Sequence, residues 1–280
     1  MTATMDDTAP DQADLAATER RGRGIRNPVV AWRLAVVGVL LLCWELTPRL
    51  LEVPNGFLVP LSEALEAGTR EGEEVLAALV PTVSAMLIAL AFTWVVGVLV
   101  GFLIGYSSKL KFLGTFFGGV YAVPFVVLYP LLSVWLGPGQ LSKIAFACMY
   151  GFIPVALTAA AGVRSVDENL YRSARSMGAN RRQLMLKVLF PASLPVILSG
   201  LRLGGGLVLI AVIVCEMLAS TSGGMGTLIT AYRVQFDAAA VYFCIIVVLL
   251  LALAMDQALA AAERRAARGG SVGRTGVAPG

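Results

Sequence analysis

Six long apolar runs, parted by short polar segments, decide what this chain can fold into. They lie at about 29–47, 76–106, 112–136, 141–163, 194–219 and 239–262. About 20 predominantly apolar residues, rising 1.5 Å each in a helix, cross a hydrocarbon layer of roughly 30 Å. Lipid offers no water to pair a free N–H or C=O, so such runs close their hydrogen bonds internally, as helices. Hydrophobic residues make up 58% of the chain and charged ones 14%. Soluble domains sit near 45–50% and about 25%. The expected fold is an all-α polytopic membrane protein with about six transmembrane helices. The second run is longer than a membrane is thick, which predicts a tilt or an interfacial start.

Lys and Arg set the orientation, because cytoplasmic segments carry their excess. With the N-terminus inside, seventeen fall on the inner side, while Arg49, Arg70, Lys143 and Arg233 fall outside. Both termini and the polar island 164–195 are therefore expected in the cytoplasm. The outer loop 48–75 is acidic, and Ser62 to Ala67 is expected to form a short surface helix. Residues 1–28 lack aromatic residues and periodicity and read as a disordered cytoplasmic tail. The apolar stretch after them is too long for a cleavable signal. Residues 29–265 form the membrane domain, and 266–280 read as a second, Gly-rich and basic disordered tail. Cys43, Cys148, Cys215 and Cys244 all sit in apolar runs, with neither a metal spacing nor a disulfide framework.

The island Arg164 to Pro195 is punctuated as two short helices about a glycine turn. Ser165 with Glu168 reads as a capping box. Gly178 falls where a left-handed C-terminal cap belongs. Asn180 with Gln183 restarts a helix, and Pro191 limits it. Val166, Leu170, Ala174 and Met177 share one helical face, and Leu184 and Val188 repeat the pattern. Apolar stripes on a surface island need a cover. The cover is either this chain's own membrane helices or a separate cytoplasmic subunit.

The spacing Ala174, Gly178, nine residues, Val188, any residue, Phe190, Pro191 resembles the EAA loop of bacterial ABC importer membrane subunits. Gly178 and Pro191 match that loop, Val188 and Phe190 stand at its Ile and Leu, and Arg172 and Ser173 replace its Glu and first Ala. The resemblance spans roughly residues 30–265. Trp135-Leu136-Gly137-Pro138-Gly139 and Arg164-Ser165-Val166-Asp167 are similar to the sulfonate, taurine and nitrate branch. It implies a type I ABC importer-like transmembrane domain in a bacterial inner membrane. It also implies a separate ATPase subunit carrying ATP-Mg, an external substrate-binding protein, a second permease copy and a small anion as cargo. Leu170, Ala174, Arg175, Met177, Gly178, Ala179 and Arg181 are then the ATPase-coupling residues.

Inside the apolar runs, Gly97, Gly101 and Gly105 form a small-residue stripe that admits a close neighbour, either within the subunit or across a dimer. Pro124 and Pro130 should kink or break the third run. Freed carbonyls are tolerated in lipid only beside protein or water, so 121–133, with Tyr129, is a candidate path lining or a buried kink. Gly223, Gly224 and Gly226 favour turns in the loop 220–238. Ionisable groups at depth face protein or water. Arg202, about 12 Å from the inner end of its run, matches the depth of Asp256, which predicts an ion pair with a structural or a gating role. Glu216 lies about 21 Å further out, beyond reach of Arg202, and faces the outer mouth or bonds locally. Glu45 and Arg49, four apart, are expected to pair.

No G-x-x-x-x-G-K-[ST] loop is present, so ATP chemistry belongs on a partner chain, and no cofactor is expected on this one. No residues converge for acid–base or metal catalysis. Topology explains the basic excess without nucleic acid. The competing function is a stand-alone secondary transporter of a small organic solute, and a membrane-embedded enzyme is a weaker third class.

Overall fold

The computed structural model describes residues 28–50, 58–219 and 223–270, and every regular element among them is helical. The chain divides into two units, residues 1–62 and 63–280. Both expected tails, apart from a few residues at their inner edges, lie outside the described residues.

In the first unit, α1 covers Pro28–Leu50. Its C-terminal end is pinned by polar bonds. Glu45 accepts from the Ser62 N–H at 3.0 Å and from the Ser62 hydroxyl at 2.9 Å, and it pairs with Arg49 as expected. The Trp44 indole N–H donates to the Val59 carbonyl at 3.0 Å.

Helix α2, Leu61–Tyr106, has 46 residues and is about 69 Å long. It corrects the expected outer loop and separate short helix at 62–67. Leu, Ala and Glu dominate its first twenty residues, all strong helix formers. Ala64, Ala67 and Val75 are buried there, so tertiary packing holds the extension as well.

The third run breaks. Helix α3, Lys111–Tyr121, is followed by a 3-10 turn at Phe125–Leu128 and α4 at Tyr129–Leu136. The two halves meet at 84°. Pro124 starts the turn and Pro130 occupies the first turn of α4, where a missing N–H costs nothing. Helix α5 covers Gln140–Arg164, α6 Glu168–Ser176 and α7 Arg181–Gln183. A π turn at Leu184–Leu189 leads into α8, Phe190–Leu218. The glycine-rich segment after it holds a further helix, α9, Met225–Val234, where only turns were expected. Helix α10, Ala238–Gly270, carries helical structure five residues past the expected end of the membrane domain.

Among the described residues five helices are long and apolar enough to span a membrane, with α3 and the segment after Pro124 as a bent sixth. The core forms where α5 passes between α2 and α8. On one side Gly97, Gly101 and Gly105 face α5, and a Cβ on Gly101 would lie 2.2 Å from the Ala156 carbonyl oxygen. On the other side Gly200 and Gly204 press against Thr158 and Val155. The small-residue stripe therefore serves packing within this chain. Phe146, Ala147, Val208 and Cys215 fill the centre, and all are fully buried.

Candidate functional site

The island folds as a knuckle at the C-terminal ends of α2 and α5. Asp167, not Ser165, caps α6, its carboxylate accepting from the Asn169 N–H at 2.8 Å. Ser165 instead donates back to the Gly162 carbonyl and finishes α5. An acid at the cap is the better fit, because the helix N-terminus favours negative charge. Glu168 pairs with Arg172 at 2.8 Å along α6.

Gly178 has φ +79°, the left-handed conformation expected of it. The Ala179 N–H reaches the Ala174 carbonyl and the Gly178 N–H the Arg175 carbonyl, closing the helix end as a Schellman motif. Asn180 and Gln183 cap each other's N–H groups at 2.8 and 3.0 Å. Pro191 does not end the second helix. It falls in the first turn of α8, where a proline's missing N–H is tolerated, and the chain runs on from the π turn into that helix.

The expected apolar stripe is split. Ala174 and Leu184 are buried at 5% and 2% exposure. Val166 and Tyr171 pack with Phe102, Val163 and Leu189 of the bundle. Leu170 and Met177, at 51% and 82% exposure, face away. Arg175 lies over the Tyr171 ring, 5.8 Å from its centre. With Ala179 and Arg181 it lines a cleft of about 760 Å³ between the knuckle and the C-terminal ends of α2 and α5.

At the break in the third run, Pro124 and Pro130 are exposed while Tyr129 is 2% exposed, its ring edge-on to Phe146. The Tyr129 hydroxyl is buried without a hydrogen-bond partner.

Glu216 does not open onto a mouth. It is fully buried, with Lys143 Nζ 2.8 Å and the Thr82 hydroxyl 2.9 Å from Oε1, and the Gly226 N–H donating to Oε2 at 3.0 Å. The Thr82 oxygen in turn accepts from the Met225 N–H at 2.9 Å. A carboxylate thus caps α9 from across the bundle, where the helix N-terminus carries partial positive charge. Gly224 and Gly226 make room, since a Cβ on Gly224 would sit 2.1 Å from Glu216 Oε1. Topology counting put Lys143 on the outside and missed this partner. The available signal was Glu216 itself, an acid in an apolar run that needs a counter-charge at the same depth.

Arg202 and Asp256 come together as a bidentate pair, Nε to Oδ1 at 2.6 Å and Nη2 to Oδ2 at 2.7 Å. Their side chains remain 45% and 38% exposed on the isolated chain.

Residues 96–268 match the family model described as the binding-protein-dependent transport system inner membrane component. A putative ABC transporter permease protein of Methanocaldococcus jannaschii is 28% identical over 247 residues, covering 84% of this chain and 90% of its own length. The taurine transport system permease protein TauC of Escherichia coli is 30% identical, covering 84% of this chain and 88% of TauC. Among solved structures, an inward-facing form of the MetNI methionine ABC transporter superposes with TM-score 0.63 at 17% identity, over 70% of this chain and 98% of that one.

Proposed function

This chain belongs to the family of binding-protein-dependent transport inner membrane components, and from that premise we propose that it couples to a separate ATPase through the knuckle at 164–195. As a family member it is a membrane permease subunit of an ABC importer. The observation that carries the coupling is the pair of bulky apolar side chains, Leu170 and Met177, left facing outward on a rigidly capped knuckle. Methionine and leucine at such exposure are a docking patch waiting for a cover. Arg175, Ala179 and Arg181 flank it, and Gly178 and Ala174 set its shape.

Nucleotide binding on the partner closes the ATPase pair, and the knuckle passes that motion into α8 through the continuous π turn as a rigid-body tilt. Two permease copies enclose the path, and an external binding protein delivers the cargo. Pro124, Tyr129 and Pro130, at the broken third run, are the path candidates. Both termini and the knuckle face the cytoplasm. A small anion such as taurine, another sulfonate or nitrate is the proposed cargo, supported by the similarity to the taurine permease.

The test is co-purification and reconstitution. Leu170→Asp with Met177→Asp should leave membrane insertion intact, abolish retention of a P-loop ATPase and stop ATP-dependent uptake. Retained ATPase with undiminished uptake would sink the docking assignment. Solute flux through the purified chain alone, without ATP, would point instead to a secondary transporter.

A further inference from the structure

The cleft behind the knuckle has a charge pattern that docking by Leu170 and Met177 leaves unexplained. It measures about 760 Å³, and its lining includes three guanidinium groups, Arg164, Arg175 and Arg181, against one carboxylate, Glu168. That carboxylate is already taken: it accepts 2.8 and 3.2 Å bonds from Arg172, which lies outside the cleft. Among the described residues none of the three lining arginines forms an ion pair. Two are held in place by other means. Arg164 donates to the Ile104 carbonyl at 3.2 Å, and Arg175 rests on the Tyr171 ring.

Like charges gathered around one concavity repel, and an anion between them converts that cost into attraction. Guanidinium forks match the geometry of phosphate oxygens, two bonds at a time. One wall of the cleft is apolar, built from Val163, Leu184 and Leu189.

We propose that this cleft binds a phosphate-type oxyanion, and that the headgroup of an anionic inner-leaflet phospholipid is the source its position favours. The cleft opens where α2 and α5 leave their apolar spans, at Tyr106 and Arg164. That is headgroup depth, where basic pockets between membrane helices hold anionic lipid. The apolar wall accepts the glycerol and first methylenes. Free inorganic phosphate has the same oxygen chemistry without the chains. A bound anion bridges Arg164 of α5 to Arg175 of α6 and Arg181 of α7, bracing the knuckle against the bundle. The inference rests on the cytoplasmic placement of the knuckle proposed above, and not on the ATPase.

The experiment uses the full chain in neutral detergent, without any ATPase, so its result is independent of docking. Native mass spectrometry follows titration with phosphatidylglycerol, with phosphatidylcholine, and with inorganic phosphate as competitor. Phosphatidylglycerol should bind about tenfold or more tightly than phosphatidylcholine. The double variant R175Q/R181Q should lose that preference, R175K/R181K should keep part of it, and R182Q, whose arginine lies outside the lining, should behave as the parent. The L170D/M177D chain should still bind. Phosphatidylglycerol that phosphate does not displace assigns the lipid source; displacement by phosphate assigns the free anion to the same site. Equal binding of the two lipids with no phosphate binding overturns the proposal, as does undiminished phosphatidylglycerol preference in R175Q/R181Q.

Discussion

Lys143 Nζ and Glu216 Oε1 lie 2.8 Å apart, and neither side chain has any exposure. The contact joins the first turn of α5 to the last turn of α8, and through Gly226 it fixes the start of α9. Breaking one side of such a pair strands a charge without water, which costs about 3–5 kcal/mol. Lys143→Met should therefore lower the thermal unfolding midpoint sharply. Adding Glu216→Gln to it should recover part of the loss, because the amide oxygen still accepts from Thr82 or Gly226. Strictly additive losses in a double-mutant cycle by detergent-phase melting would show that the pair is not an energetic unit.

The closest helix approach gives a second expectation. A Cβ on Gly101 meets the Ala156 carbonyl oxygen at 2.2 Å and the Ala159 methyl at 2.7 Å. Backbone cannot rotate aside, so Gly101→Ala must force α2 and α5 apart. Gly72 lies on the same helix with nothing within 4 Å. There Ala should be neutral or stabilising by up to about 1 kcal/mol. Equal melting midpoints for the two variants would refute the packing assigned to the stripe.

Gly178 separates conformation from space. Its φ is +79°, yet no atom lies within 4 Å of an added Cβ. Any penalty is therefore backbone strain, about 1–2 kcal/mol for most side chains. Gly178→Asn, which tolerates the left-handed region, should retain most ATP-dependent uptake. Gly178→Val, β-branched, should lose it while inserting normally. Equal uptake by both would show that the turn is not part of the coupling element.

What could be read from sequence here was local. The Gly178 turn and the Asn180–Gln183 box depend on residues at most a few positions apart, so their chemistry is visible in the string. The apolar runs mark membrane depth, and five of them reappear as spanning helices. Helix extent is a different property. The acids from Glu63 to Glu74 end the second hydrophobic run but are good helix formers, so α2 continues through them. Lys143 was hidden for a related reason. Hydropathy counts put a lysine at the edge of a run in water, and its partner is 73 residues away. Helix α9 was masked by Gly223, Gly224 and Gly226; the small size of Gly224 and Gly226 makes room for Glu216 and Ile213 rather than marking a loop alone. The Arg202–Asp256 pair was legible despite a separation of 54 residues, because equal depth and opposite charge in apolar helices leave few other partners.

That pair carries the last prediction. Both oxygens of Asp256 are used by Arg202, yet the two side chains are more than a third exposed on helices whose neighbours Leu203, Leu249 and Leu253 are exposed as well. Hydrocarbon is a poor medium for either charge alone. Arg202→Leu or Asp256→Leu should each reduce the amount of folded protein in the membrane, since each strands the other group. The exchange R202D/D256R restores opposite charges at one depth and should recover folding above either single variant. The apolar pair R202L/D256L should also recover folding, because no charge is stranded. Uptake then discriminates the role: a packing contact leaves R202L/D256L active per folded molecule, and a gating contact leaves it folded but inactive. Fluorescence-detected size exclusion, paired with uptake normalised to folded protein, reads both quantities. If neither double variant folds better than the single replacements, the bidentate pair is not what sets the cost of losing one partner.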